Sequence, residues 1–315
     1  MRALTWDGTA ARIEERAPPE PGPDEVRVRV TLAGICNTDL EITRGYMEFR
    51  GILGHEFVGI VDAGPPAWQG RRVVGEINFA CGACNWCARG LRRHCPTRRV
   101  LGIVQADGAF AEFVTVPVAN LHAVPDAVTD EAAVFVEPLA AAFEILEQIH
   151  VTADQECVVL GDGKLGVLIA QVLQQTGARI LVVGRHADHL GWLARRGLAT
   201  VTVDAWRRVP ADVVVEATGS AAALATAVAV TKPRGMLVLK STVAAPTALP
   251  AAAVVVNEIQ IVGSRCGPFT PALRALQSGA VDVQGLVAAR RSLAEGVDAL
   301  RLATVPGTLK VLLAP

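Results

Sequence analysis

Short apolar runs broken by glycine and proline fill the first 136 residues, the clearest lying at 25–32, 57–61, 72–77 and 110–116. Runs of this length bounded by turn residues read as strands of an antiparallel, barrel-like β domain. From about residue 141 the rhythm changes. Apolar strands at 156–160, 179–183, 201–203, 212–215, 236–239 and 259–262 alternate with helical stretches such as 165–176. Several of these strands are apolar throughout, which a sheet tolerates only when helices cover both of its faces, so this half reads as a doubly wound parallel α/β domain. A tail follows, with a helix at 271–278, a helical stretch at 292–302 and a closing strand at 308–313. It has no core of its own and is expected to pack back on the first domain. The expected organisation is one domain of residues 1–140 and 266–315, interrupted by a second of residues 141–265.

Length agrees with that division, because 315 residues at ~150 per domain make about two domains. Hydrophobic residues at 51% and charged residues at 19% supply material for two cores and exclude a disordered chain. The mean hydropathy of +0.36 raises the question of a membrane. Apolar stretches such as 220–230 nevertheless stop well short of the roughly 18–20 residues a spanning helix needs, and no basic segment with an apolar core opens the chain. The expectation is a cytoplasmic protein with no membrane partner. A net charge of −1 and a pI near 6.6 give no electrostatic footprint for nucleic acid.

Seven cysteines change the picture more than any percentage. Cys81, Cys84, Cys87 and Cys95 fall within fifteen residues, while Cys36, Cys157 and Cys266 are dispersed. An odd total without a secretory segment favours metal over disulfides, and four thiolates in one loop close a tetrahedral zinc site with no open position. Such a site, in a lobe at about 78–98, braces structure and does no Lewis-acid chemistry. Cys157, inside an apolar strand, reads as core, and Cys266 as a hinge or interface residue.

The second domain carries its own signature. The strand 156–160 runs into Gly161, Asp162, Gly163, Lys164, Leu165 and Gly166 and then into a helix. In that strand–turn–helix setting the three glycines serve a tight turn, close approach of the backbone to a pyrophosphate, and close helix–strand packing, with the helix N-terminus supplying donors to phosphate. The following strand ends at Gly184, Arg185 and His186. An acid there would hold a ribose 2′-hydroxyl; glycine removes it, and Arg185 offers a donor fork suited to a 2′-phosphate, with His186 as a further donor. NADP(H) is therefore expected over NAD(H). Asp188, just beyond, reads as an acid in the first turn of a helix.

Cys36, His55, Glu56 and Glu137 each have a plain reading taken singly, as a buried thiol, a core histidine or a helix-start acid. Their motifs, in order, are GICNTDL at 34–40, GHEFVG at 54–59, the four-cysteine loop, EPLA at 137–140 and GDGKLG at 161–166. Over essentially the whole chain this set resembles the zinc-dependent medium-chain dehydrogenases/reductases, nearest to the sorbitol, threonine and glucose dehydrogenase branch. The resemblance implies a GroES-like β-barrel catalytic domain and a Rossmann domain. It implies a catalytic zinc on Cys36, His55 and Glu137, with Glu56 a near or alternating ligand, beside the structural zinc. By the same likeness Asp39 orients the ligating histidine, Thr38 passes the substrate proton, and Leu165 packs behind the nicotinamide, while Ser241 and Thr242 are read, with Lys240, as lining the cofactor or substrate cleft. The family often has a histidine where this chain has Glu41, so a proton relay would run through Glu41 or leave another way. Lys240 ends an apolar strand and reads as a lysine reaching solvent or, alternatively, as a lining of the cofactor or substrate cleft.

The activity implied is hydride transfer between an alcohol or polyol, or its carbonyl, and NADP(H), in a homodimer or homotetramer paired through the strand at 259–262. Two alternatives remain at this level: a reductase of C=C or C=N bonds with structural zinc only, and a catalytically silent NADP(H)-binding protein.

Overall fold

The computed structural model describes residues 1–242 and 247–315. Its contacts divide the chain into two compact units. One comprises Met1–Glu137, Ala272–Ser278 and Asp282–Pro315, the other Pro138–Pro271 and Gly279–Val281.

The first unit is organised around the ten-residue strand Glu25–Gly34. Val26, Val28, Val30 and Leu32 alternate onto its buried face, as a period of two requires of a half-covered strand. Three strands pair antiparallel with it: Glu56–Ala63, Phe113–Pro117 and Lys310–Ala314. Gly34 stands opposite Glu56 in one ladder and opposite Leu312 in another, so this register brings the start of two distant strands to one spot. Arg72–Gly75, Leu121–Ala123 and Val287–Ser292 complete the seven-stranded sheet. A second sheet orders Ala11–Glu15, Arg2–Trp6 and Gly51–Ile52, and a third joins Asn78–Phe79, Arg99–Leu101 and Gln105–Ala106.

The other unit is a six-stranded parallel sheet. Its spatial order is Ala199–Thr202, Arg179–Gly184, Glu156–Leu160, Ala211–Glu216, Thr231–Leu239 and Gln260–Gly263. In chain order that is 3-2-1-4-5-6, which places a topological switch between the first and fourth strands, where open α/β sheets bind their ligands. Val158, Leu160, Val214 and Leu237 form part of one buried cluster in this unit. Helices Gly166–Gln174, Ala187–Ala194, Ala221–Ala229 and Ala251–Val256 connect the strands.

Two elements differ from their sequence reading. The strand expected at 236–239 begins at Thr231, because the pairing register shifts between Ala211 and Val213 and leaves the polar run of Lys232 to Gly235 unpaired inside it. The stretch expected as one helix at 292–302 is a short 3₁₀ turn, Leu293–Glu295, followed by the helix Gly296–Ala303.

The packing of the glycine turn yields a test. A methyl group on Gly166 would lie 2.0 Å from the Gly161 carbonyl oxygen, a backbone atom that cannot step aside. Gly166→Ala is expected to cost about 2 kcal/mol and lower the thermal midpoint by ~5 °C, measured by calorimetry.

Candidate metal and dinucleotide sites

Cys36 caps the helix Asn37–Ile42, and the Asp39 carboxylate reaches back so that its Oδ2 accepts the Cys36 amide at 2.8 Å. The other Asp39 oxygen lies 3.1 Å from His55 Nδ1. Both residues are buried, so the carboxylate orients the ring and leaves Nε2 for another partner. One donor atom from each of Cys36, His55 and Glu56 lies within 4.8 Å of the others. Glu56 Oε2 pairs with Lys310 Nζ, whereas Oε1 is buried with no hydrogen-bond partner. An orphaned carboxylate oxygen beside a thiol and an imidazole is the donor set zinc accepts, and the residues present fit that ion.

The electrostatics agree. Burial opposes a charge on His55, but Asp39 and Cys36 outweigh it and hold the ring well above the usual histidine range. Surroundings that favour a proton on this ring also favour a divalent cation in its place. Lys310 is likewise raised, burial being overcome by Glu56, Cys36 and, more weakly, Glu137.

Glu137 lies in the first turn of the helix Val136–Gln148 and is not one of the three clustered donors. Thr38 Oγ1 lies 3.8 Å from the Cys36 sulfur. Glu41 is ion-paired with Arg44 at 2.7 Å. Lys310 itself escaped the sequence reading, and its one signal was a lysine opening the apolar strand Lys310–Ala314. Gly34 makes the pair possible, since a methyl group there would fall 2.7 Å from Glu56 Oε2 and 2.6 Å from Val134.

The four other cysteines converge. Cys84 Sγ lies 3.5 Å from Cys87 Sγ and 3.9 Å from Cys95 Sγ, and one sulfur from each of the four lies within 4.8 Å of the rest. Four thiolates ~2.3 Å from a tetrahedral zinc stand ~3.8 Å apart, so these positions fit a closed site. The Cys81 amide and Thr97 lower the Cys95 thiol to about 6, while burial and the Cys84 thiol push Cys87 up to about 11. The lowered Cys95 thiol is the one of the four that an ion would engage most readily.

In the second unit Gly161 adopts a φ of +114°, and a methyl group on Gly163 would meet nothing within 4 Å, leaving open space above that backbone. Lys164 and Leu165 are partly buried, and the helix begins at Gly166. Gly184 removes its own carboxylate, but the structure supplies another. Asp162 Oδ2 accepts the amides of Arg185 and His186 at 3.0 and 2.7 Å, and a methyl group on Gly184 would lie 2.4 Å from the Asp162 Cγ. The Arg185 side chain is exposed, and Asp188 occupies the first turn of the helix Ala187–Ala194.

Ser241 Oγ accepts the Gly219 amide at 2.8 Å, and Thr242 is exposed. Lys240 does not reach solvent, as its strand-end position suggested. It is buried, with Nζ donating to the Ala141 carbonyl at 2.6 Å and to Ser264 Oγ at 3.1 Å. Cys157 is core, and burial pushes its thiol up to about 12. Cys266 is half-buried. No described helix is long and apolar enough to cross a membrane.

Removing one partner of a buried pair strands the other's charge. Lys310→Met is expected to destabilise the protein by about 3–5 kcal/mol in chemical denaturation. Adding Glu56→Gln should recover at least half of that loss.

Comparison with known proteins agrees with both halves of this geometry. Residues 22–126 match the model of the alcohol dehydrogenase GroES-like domain, and residues 165–278 match that of the zinc-binding dehydrogenases. The chain is 40% identical to the starvation-sensing protein RspB of Escherichia coli K12, over 51% of this chain and 50% of that one. It is 29% identical to a sorbitol dehydrogenase of Halalkalibacterium halodurans, over 100% of this chain and 99% of that one. Among solved structures it resembles the alcohol dehydrogenase TADH of Thermus sp. ATN1, with 30% identity, complete coverage of both chains and a TM-score of 0.91. A zinc-binding dehydrogenase of Sinorhizobium meliloti 1021 solved with NADP is 29% identical, at 100% and 99% coverage and a TM-score of 0.90. An alcohol dehydrogenase of Escherichia coli CFT073 solved with NADH is 28% identical, at the same coverage and a TM-score of 0.92. With its glycine turn, its clustered thiols and its Cys36–His55–Glu56 donor set, the chain belongs to the zinc-type alcohol dehydrogenase family of GroES-like and Rossmann-type domains.

Proposed function

We propose that this protein oxidises an alcohol or polyol, or reduces the corresponding carbonyl, with NADP(H) and a catalytic zinc. The observation that carries the reading is the Cys36–His55–Glu56 group, within 4.8 Å and held by Asp39, with one buried Glu56 oxygen unmatched. When bound, zinc supplies a Lewis acid for the substrate oxygen, and the coenzyme a hydride acceptor. The chain's residues do the rest. Asp39 keeps the His55 ring in one orientation and one tautomer. Lys310 balances the Glu56 carboxylate where no water reaches it. Thr38, next to Cys36, passes on the proton that the substrate hydroxyl gives up, releasing its own hydroxyl proton toward solvent as it accepts. Glu41, already paired with Arg44, is available to pass a proton onward only if that surface pair opens. Glu137, in the first turn of its helix, completes the ligand set in this reading.

Support for NADP(H) comes from Gly184 and the exposed Arg185 fork. The Asp162 carboxylate nearby is already engaged by two backbone amides, so it is a weaker acceptor for a ribose hydroxyl. Self-association through the edge strand Gln260–Gly263 is part of the same proposal, supported by Val255 and Val256 beside it at 75% and 80% exposure.

A screen of alcohols and carbonyls against both coenzymes, with zinc measured on the same batch, tests the reading. The expected outcome is turnover with NADP(H) and two zincs per chain at the cysteine-containing sites, one on the Cys36–His55–Glu56 group and one in the four-cysteine loop. One zinc, with reduction of an activated C=C or C=N bond, would favour a reductase instead, and coenzyme binding without any turnover a silent binding protein. Arg185→Ala should raise KM for NADP(H) about tenfold, the loss of one charge-assisted phosphate contact, and leave NAD(H) unchanged. Sedimentation should show a dimer or a tetramer.

A further inference from the structure

Asp162, His186 and His189 form a third cluster, separate from both sets of cysteines. The glycine turn places Asp162, the end of the strand Arg179–Gly184 places His186, and the first turn of the following helix places His189 three residues on. Both imidazoles turn Nδ1 toward the same aspartate. His186 Nδ1 lies 3.1 Å from Asp162 Oδ1. His189 Nδ1 lies 2.8 Å from the Asp162 carbonyl oxygen and 3.9 Å from Oδ2. The ring centroids stand 4.7 Å apart at a tilt of 42°.

We propose that these three residues form a binding site for a divalent transition ion, with zinc as its natural probe. Two imidazole nitrogens and a carboxylate oxygen are ligands of the borderline class that zinc accepts. Donors ~2.1 Å from one ion stand about 3–3.5 Å apart, and the separations here bracket that spacing. A neutral imidazole with its proton on Nε2 presents the Nδ1 lone pair, and both rings already direct Nδ1 at Asp162. Asp162 is held from behind by the amides of Arg185 and His186, the outer-shell support that a ligating carboxylate requires. Asp162 and His189 are buried, whereas the His186 side chain is 37% exposed and opens the path by which an ion enters. The site stands on this geometry alone and does not depend on the proposed catalytic zinc.

The test is zinc content per chain after equilibration of the full-length protein in zinc-buffered solution, read by mass spectrometry for wild type, His186→Gln and His189→Asn. The wild type should carry one zinc more than either variant, and titration calorimetry should show the corresponding binding step weakened at least tenfold in both. His186→Gln alters a half-exposed side chain, so it keeps the comparison valid if the buried His189→Asn does not fold. Equal zinc content in wild type and His186→Gln overturns the proposal. The total across all samples, rather than the difference, reports on Cys36, His55 and Glu56, so the failure of one site is told apart from the failure of the other.

Discussion

Glu56 is a carboxylate with no exposure to water, and a single ammonium, that of Lys310, balances it from an equally buried position. Separating the two would leave an uncompensated charge in a medium that cannot solvate it. The strand pairing must therefore deliver both residues to one point. Glu25–Gly34 does so by accepting Glu56–Ala63 and Lys310–Ala314 in registers that meet at Gly34. A slip of one residue in either ladder would turn Glu56 or Lys310 to the opposite face. The pair thus couples the register of the first unit to the placement of its chemistry.

Around that pair the side chains are arranged in dependence on one another. Asp39 uses one oxygen to close the turn at Cys36 and the other to orient His55, so a single buried acid shapes both the backbone and the ring. The cost is a concentration of negative groups, offset by a cation on Lys310 and by whatever His55 carries. A cluster of this kind is poorly satisfied by protein alone, which is why one oxygen of Glu56 stands without a partner.

The second unit shows a similar exchange of parts between distant positions. Gly184 lacks a side chain, and Asp162 from the glycine turn fills the volume a side chain there would have occupied. Its carboxylate ties the turn to the end of the neighbouring strand through the amides of Arg185 and His186. The local charge at this edge thus differs from what the strand end alone implies.

Periodicity by itself determined the parallel sheet, because strands apolar on both faces leave no other way to be covered, and it located the glycine turn and the four-cysteine loop, whose spacings are local. Polar interruptions hid the start of Thr231–Leu239, where an unpaired run lies inside a strand whose two ends still pair. No spacing could join Glu56 to Lys310, 254 residues apart, or reveal that Asp162 sits beneath Gly184. Lys240 looked solvent-bound from its place at a strand end, yet a carbonyl and a hydroxyl satisfy it inside the unit. Local propensity acts over a few residues through backbone hydrogen bonding and burial. Ion pairing and filled volume act across space, and so only the tertiary structure decided which buried charges meet.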